Sequence, residues 1–435
     1  MRAAFYTLGC KVNQYETQIM EQQFSAEGFD VLESSESGGA DIYVVNSCTV
    51  TATGDKKTRQ LVRRLKNQNP EAVVVLTGCF PQAFPEAAEN LMEADVITGT
   101  YNRASVIEAV KQRLATGERV IRITPHQRGK ERSRFEEMQA SSMNERTRAF
   151  VKIQDGCDRF CSYCIIPTAR GPVRSKPLEE IRRELTLLSE KGYQEIVLVG
   201  INLPCYGSDL NLRLLDAVRT ACSVPGLKRV RLGSLEPELL LPEDIAEMAA
   251  MPALCPQFHL SLQSGCDATL KRMNRHYDTA EYRRIVENLR AAFENPSITT
   301  DIMVGFPGED DAEFQESLNF AKEIAFAKAH VFMYSPRPGT RAAQMPQVNN
   351  ACKEKRSAEM IAVTEKNRQD FLKTQIGRRE QVLFETDTSG GMYHGYTRNY
   401  TPVEVPAFED IRGQLWDVRI TGLSENGQSC FASIE

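Results

Sequence analysis

The sequence predicts an α/β protein in three parts: an amino-terminal parallel α/β domain, a central partial (β/α)6 barrel and a small all-β carboxy-terminal domain. Three observations carry this. Short runs rich in β-branched and aromatic residues alternate with helical stretches up to about residue 115 and again from Phe150 to about residue 370, and such alternation implies parallel sheets. The second block holds six strand–helix units, which suits a barrel or partial barrel better than a small open sheet. After Gln369 short alternating stretches and turn residues take over without a long helix, the pattern of a small β-barrel.

In the first block the expected strands are Ala3–Leu8, Ile42–Asn46 and Val73–Thr77, with helices over Asp55–Asn67 and Pro81–Met92. Residues 116–146 are polar and basic with few apolar anchors and read as a linker. The barrel strands are Phe150–Ile153, Glu195–Val199, Val230–Gly233, Phe258–Leu262, Thr300–Val304 and His330–Phe332. Lys176-Pro177-Leu178-Glu179-Glu180 has the proline and acidic residues of a helix start. The last block offers strands Gln381–Glu385, Leu415–Gly422 and Cys430–Ile434, with a turn at Gly390-Gly391. The expected domain limits are 1–115, a basic linker at 116–146, 147–371 and 372–435.

With 435 residues and a net charge of −5, the chain is not a globally polycationic nucleic-acid coat, although local basic patches remain open to it. No uncharged apolar run reaches the roughly 18 residues of a membrane span, and the first ten residues lack the form of a signal peptide. A cytoplasmic, reduced protein is expected. Against that background the twelve cysteines are unusual. They are too sparse for a disulfide scaffold and point to metal, cluster or redox chemistry.

Two constellations organise six of them. Cys157, Cys161 and Cys164 form a Cys-x3-Cys-x2-Cys loop directly after a predicted strand, with no histidine nearby. Three thiolates without a fourth suit a cubic four-iron cluster whose remaining iron stays open to a small molecule. The alternative is a structural zinc loop that borrows a distant fourth ligand. Cys10, Cys48 and Cys79 each follow one strand of the first block. Parallel strands present their carboxyl ends on one edge, so these three should converge on one spot and hold a second such cluster. Their alternative is three inert buried thiols. Cys205, Cys222, Cys255, Cys266, Cys352 and Cys430 show no comparable spacing and read as ordinary thiols.

The Cys-x3-Cys-x2-Cys loop heading six βα units resembles the radical S-adenosylmethionine superfamily. Thr7-Leu8-Gly9-Cys10-Lys11-Val12-Asn13-Gln14-Tyr15-Glu16, Asn46-Ser47-Cys48-Thr49-Val50-Thr51, Thr77-Gly78-Cys79, Gln154-Asp155-Gly156-Cys157, Ile165-Ile166-Pro167 and Ala169-Arg170-Gly171 resemble the methylthiotransferases of that superfamily. The likeness covers nearly the whole chain, with a carboxy-terminal domain similar to the TRAM module. The form around Cys10 is similar to the branch acting on N6-threonylcarbamoyladenosine in tRNA. Departures are Thr168, where an aromatic residue is common, and Pro204-Cys205, which interrupts a familiar segment.

The resemblance implies two 4Fe-4S clusters and S-adenosylmethionine as both radical source and methyl donor. The cluster on Cys157, Cys161 and Cys164 would bind S-adenosylmethionine at its open iron, and reductive cleavage would give a radical that takes the C2 hydrogen of an adenine. The cluster on Cys10, Cys48 and Cys79 would offer its open iron to the sulfur that is methylated and transferred. The implied substrate is the modified adenosine at position 37 of tRNAs decoding codons that begin with A, approached through the anticodon stem-loop. A one-electron reductant such as flavodoxin or ferredoxin is the implied second partner. By resemblance Asn202, Ser234, Glu236 and Gln263 contact S-adenosylmethionine, and Asn13, Gln14, Arg170 and Arg337 face substrate.

Charge distribution bears on the RNA partner. Residues 1–185 carry 26 basic and 24 acidic residues, and Lys56–Lys66 holds six basic and no acidic ones. Lys111–Arg134 holds eight basic residues against two acidic. Both stretches are candidate phosphate contacts. Leu372–Glu435 is acidic, with six basic and nine acidic residues, so contact there would rest on stacking by Tyr393, Tyr396, Tyr400 or Trp416, with Arg378, Arg379 and Arg398. Rival readings are the same chemistry on isopentenyladenosine tRNA or a ribosomal protein, and a non-catalytic zinc and RNA-binding protein.

Overall fold

A computed structural model describes residues 1–32, 39–101, 103–127, 134–140, 147–388, 391–407 and 409–435. Gly390 of the expected turn, and residues 128–133 and 141–146 of the expected linker, lie outside the described residues. The first sheet is fully parallel in the order β2-β1-β3-β4-β5-β6. Its strands are β1 (Arg2–Thr7), β2 (Asp30–Val31), β3 (Ile42–Ser47), β4 (Val73–Gly78), β5 (Val96–Thr98) and β6 (Val120–Arg122). Every residue of β3 and β4 is buried, because helices cover both faces. Tyr43, Val45, Val74 and Leu76 meet Leu61, Val62 and Leu65 of the helix Ala52–Gln68 on one face. Ile42, Val44, Val73 and Val75 meet Phe24 of the helix Lys11–Ala26 and Val106 and Val110 of Ser105–Thr116 on the other.

Two expectations are corrected here. The helix expected over Pro81–Met92 is instead Cys79–Ala83 and Pro85–Glu89, broken at Phe84, which Pro85 keeps out of the helical region. The stretch read as linker contributes β6, an edge strand too short to carry a periodic signal.

The central sheet begins at β7 (Arg148–Lys152). A short antiparallel ribbon of β8 (Gln154–Asp155) and β9 (Arg174–Ser175) brackets the Cys157 loop. β10 (Glu195–Val199) and β11 (Arg229–Leu232) follow. β11 and β12 (Ser234–Leu235) are two halves of one path interrupted at Gly233: β11 pairs with β10, and β12 pairs with β13 (Gln257–Leu260). β14 (Ser297–Val304) and β15 (Lys328–Met333) complete six parallel positions, with β7 and β15 as the two edges of an open barrel. Alternate residues of β15 stay exposed, so the lumen is open to solvent on that side.

A 25-residue helix, Asn350–Thr374, leads to a closed five-stranded barrel. It is built from β16 (Arg379–Thr388), β17 (Met392–Thr397), β18 (Pro402–Pro406), β19 (Leu415–Leu423) and β20 (Cys430–Ile434). The aromatic residues suggested for base stacking divide. Tyr393 belongs to this barrel's core. Tyr396 and Tyr400 stack on each other at 4.2 Å and 8°, and Arg148 lies over both rings. That stack is part of a joint with the central barrel. Arg231 donates to the Thr397 carbonyl at 2.7 Å, and Arg229 to the Tyr396 carbonyl at 3.0 Å.

Glu195, 1% exposed, holds the joint electrically. It accepts from Arg231 at 2.6 Å, with Arg229 at 3.4 Å and Arg148 at 3.6 Å. Glu195→Gln leaves three guanidiniums with Glu385 as the nearest remaining carboxylate. The expected cost is about 3–5 kcal/mol, read as a lowered urea midpoint; an unchanged midpoint would show that the joint does not depend on this charge.

Candidate active site between two cysteine sets

The first set lies on the loop after β8. Gly156 opens it with a φ of +73°, and a Cβ there would meet the Pro172 carbonyl at 1.9 Å, so only glycine fits. The Cys157 amide donates to the Gly171 carbonyl at 3.0 Å, and the Ser162 amide to Met273 at 2.9 Å, anchoring the loop at both ends. The three thiols lie within electrostatic range of one another, and burial pushes all of them up, Cys164 to about 12. Thiols so placed ionise only beside a positive partner such as a metal. Two donors already face the sulfurs: Asn202 Nδ2 lies 3.6 Å from Cys157 Sγ, and Arg275 Nη1 lies 3.4 Å from Cys161 Sγ. Such hydrogen bonds stabilise charge on a cluster's ligands.

The residues expected to contact S-adenosylmethionine sit at successive strand ends around this loop. Asn202 follows β10, is 4% exposed, and leaves its Oδ1 buried without a partner among the described residues. Ser234 is exposed on β12, and Glu236 just beyond it pairs with Arg275. Gln263 follows β13 with a φ of +66°, a conformation that costs free energy outside glycine and clusters at functional sites. Its amide donates to Asp301 and its carbonyl accepts from Met303, so β14 holds the strained turn. Sequence reading missed Arg275, which approaches the site from the loop after the helix Asp267–Arg272. It also classed Cys205 as ordinary, yet that thiol lies within electrostatic range of Cys157 and Arg159. Nothing in its local spacing signals this, because a 3-10 turn at Leu203–Cys205 makes the approach.

The second set gathers at the carboxyl edge of the first sheet, as parallel topology requires. Gly9 follows β1 with a φ of +136°, and a Cβ on it would come within 2.9 Å of Cys48 Cβ. Gly78 has a φ of +105° and equally little room. Cys79 is 3% exposed, and burial pushes its thiol to about 12, with Cys48 and Cys10 both in range. Asn13 is fully buried in this set. It accepts from Cys10 Sγ at 3.3 Å and donates to the Ser47 carbonyl at 3.1 Å. Gln14 is half-buried one residue further along the helix.

Arg170, from the central barrel, crosses the seam to this set. Its guanidinium is fully buried, with Nε 3.2 Å from Cys79 Sγ and Nη2 3.1 Å from Asn13 Oδ1. It also grips both Glu16 oxygens. Glu16 further accepts from Arg103 at 2.6 Å and Lys152 at 2.7 Å. Asp155 accepts from Lys152 at 2.6 Å and pairs with Arg174 at 3.1 Å. Arg337 makes a second crossing, to Thr49 at 2.8 Å and Asp55 at 2.6 Å, just past Cys48. Arg170 and Arg337 therefore join the two domains beside the cysteines in this structure.

Residues 151–321 match the radical SAM superfamily, and residues 2–99 match Uncharacterized protein family UPF0004. The chain is 38% identical to the threonylcarbamoyladenosine tRNA methylthiotransferase MtaB of Thermotoga maritima, over 98% of this chain and 96% of that one. It belongs to the radical S-adenosylmethionine methylthiotransferase family. It is also 32% identical to the tRNA-2-methylthio-N(6)-dimethylallyladenosine synthase of Pelotomaculum thermopropionicum, over 95% of this chain and 94% of the relative. In fold it matches the radical S-adenosylmethionine methyltransferase TsrM of Kitasatospora setae, with a TM-score of 0.57 at 13% identity, over 79% of this chain and 74% of that one.

The methylthiotransferase's donor sets fit clusters better than single ions. Each set offers three thiols and no histidine, the donor chemistry of a four-iron cluster with one open iron. Beneath the second set, Arg103, Lys152, Arg170 and Arg174 outnumber Glu16 and Asp155, so buried positive charge is left for an anionic thiolate group to offset. No described helix is long and apolar enough to cross a membrane.

The methylthiotransferase seam makes stability depend on pH. Burial alone would raise the Glu16 carboxyl, but Arg103, Arg170 and Lys152 outweigh it and hold it well below the usual range. Lys152, Arg170 and Arg174 do the same for Asp155. Depressed carboxyls stabilise the fold above their unfolded pKa, about 4, and that contribution is lost as pH falls further. The urea midpoint should hold steady from pH 7 to about 5 and fall below about 4. Glu16→Gln should lower the midpoint at pH 7 and flatten that acid limb; an unaltered limb would refute the assignment.

Proposed function

We propose that this methylthiotransferase adds a methylthio group to C2 of N6-threonylcarbamoyladenosine at position 37 of tRNAs reading codons that begin with A. The observation supporting it most strongly is the nearly full-length likeness to the Thermotoga maritima protein, joined to two three-thiol sets facing one seam. Cys157, Cys161 and Cys164 would hold one 4Fe-4S cluster and Cys10, Cys48 and Cys79 the other. When bound, these groups and S-adenosylmethionine supply one-electron C–H activation and the sulfur source.

The chain's own residues do the positioning. Asn202 and Arg275 donate hydrogen bonds toward the first set's sulfurs, and Arg170 toward the second. The Asn202 Oδ1 has an acceptor to offer the ammonium of S-adenosylmethionine, and Glu236 and Gln263 line the same rim. Asn13 and Arg170 steady the second set rather than reach freely for substrate, and Arg337 orders the Cys48 loop. For the RNA, Lys56, Lys57 and Arg64 on the helix Ala52–Gln68 are exposed beside the Cys48 loop. Arg59, Arg63 and Lys66 are engaged with Phe80, Glu93 and Asp95. Lys111, Arg113 and Arg122 of the second basic stretch pair with Glu27, Asp95 and Glu108, which weakens their candidacy as phosphate contacts. A flavodoxin or ferredoxin would deliver the electron, and the cytoplasm, where tRNA is modified, is the expected compartment.

Anaerobically reconstituted protein should hold about eight irons, four per cluster, and Cys157→Ala and Cys48→Ala about four each. Cys157→Ala should abolish cleavage of S-adenosylmethionine, whereas Cys48→Ala should keep part of it and lose sulfur transfer. Mass spectrometry of tRNA nucleosides from a deletion strain should show threonylcarbamoyladenosine without its methylthio group. Accumulation of isopentenyladenosine instead would move the substrate to the other tRNA branch.

Replacing Lys56, Lys57 and Arg64 together by Ala should weaken stem-loop binding and reduce the slope of log affinity against log salt by about 2–3. An unchanged slope in a filter-binding series would remove this helix from the RNA surface.

A further inference from the structure

The lumen of the central barrel contains a cation that the reaction scheme leaves unused. Lys11 leaves the backbone next to Cys10 and carries its ammonium 6.0 Å above the Phe150 ring of β7. It lies within electrostatic range of Arg148 on β7, Glu195 on β10, Arg231 on β11 and His330 on β15. Those strands run from one edge of the open barrel to the other, which together with the approach to Phe150 points to a place on the concave side of the sheet. The side chain keeps solvent-accessible surface.

Among the described residues this ammonium has no hydrogen-bond or ion-pair partner, although the surrounding charges are matched elsewhere. Arg148 is held by Glu385 at 2.6 Å, Arg231 by Glu195 at 2.6 Å, and Asp301 lies 3.4 Å from His259. Arg148, Arg229 and Arg231 already outnumber Glu195 and Glu385. An unpaired ammonium facing surplus cations in a lumen calls for an anion from outside the chain.

We propose that Lys11 binds the carboxylate of the threonylcarbamoyl group, and so distinguishes this substrate from a prenylated adenosine. The inference rests on the substrate assignment above. On adenine, C2 and C6, which carries N6 and its substituent, lie on one edge on either side of N1. A base presenting C2 between the two cysteine sets therefore carries its N6 group close by, and Lys11 extends from the very edge of the second set. An apolar dimethylallyl group would desolvate the ammonium without compensating it. A backbone phosphate shares the anion chemistry, and it would be present on every RNA whatever the state of base 37.

The experiment compares binding of three anticodon stem-loops to the reconstituted holoenzyme: one with threonylcarbamoyladenosine at position 37, one with its carboxylate methyl ester, and one with unmodified adenosine. The native enzyme should prefer the free carboxylate over the ester. Lys11→Met should weaken binding of the carboxylate form by about 10- to 100-fold and leave the other two within about twofold, with iron content unchanged. Lys11→Arg should restore most of the preference. Equal weakening of all three RNAs would make the contact a phosphate and overturn the proposal, as would a preference that survives Lys11→Met. A native enzyme without preference for threonylcarbamoyladenosine over adenosine would instead sink the substrate assignment itself.

Discussion

Glu16 is the point on which the rest of this molecule depends. It lies on the first helix of the amino-terminal domain, fully buried, and accepts from Arg103 of its own domain and from Lys152 and Arg170 of the barrel. A buried carboxylate cannot stay ionised without such partners, and three buried cations cannot be dehydrated without it. The pairing therefore works only when the two domains meet in one orientation. Because Arg170 also reaches Cys79, and Asp155 opens the turn into Cys157, that orientation fixes one cysteine set relative to the other. Chemistry needing two centres on either side of one base is sensitive to such placement.

Arg337 and the Glu195 cluster extend the same logic. Thr49 and Asp55 receive Arg337 from the far end of the barrel chain, so the loop carrying Cys48 is tied to residues nearly 300 positions away in sequence. At the barrel floor, Glu195 gathers three guanidiniums; Arg229 and Arg231 also bond backbone carbonyls of the last domain, and Arg148 pairs with its Glu385. Each joint carries desolvated ion pairs, and at the first of them Val12, Tyr15 and Ile19 also pack into the apolar core of the barrel. Ionic joints specify geometry more than they add stability, since the cost of dehydrating the charges offsets most of their attraction.

The strands were legible because burial on both faces writes long apolar runs: Ile42–Ser47, Val73–Gly78 and Glu195–Val199 stand within a residue of their expected limits. Val96–Thr98 and Val120–Arg122 were not legible, being three residues each and dependent on a neighbour already in place. The cysteine sets were readable because parallel strands send their carboxyl ends to one edge. Arg170 and Arg337 were expected to face substrate; the structure holds them as clamps between domains, which the sequence could not show because their partners are distant and only folding brings them together. Cys205 and Arg275 carry no local pattern at all. Tyr396 and Tyr400 have the composition of an RNA-stacking surface, and their use in the barrel joint depends on Arg148 and Arg231 arriving from elsewhere.

An acidic chain with a cationic interior reconciles net charge with an RNA partner. With a net charge of −5, the chain offers phosphate only local attraction, as at the exposed basic residues of the helix Ala52–Gln68. The concentrated positive charge lies instead at the seam and in the barrel, where Arg103, Arg170, Lys152 and Arg231 are buried and Arg148 and Lys11 stand beside them. Charge at the surface attracts any nucleic acid over a Debye length. Charge in a lumen is felt only by what enters, at short range and in a lower dielectric. Charge distributed this way acts on a polyanion at long range through the surface and on an entering group at short range through the interior.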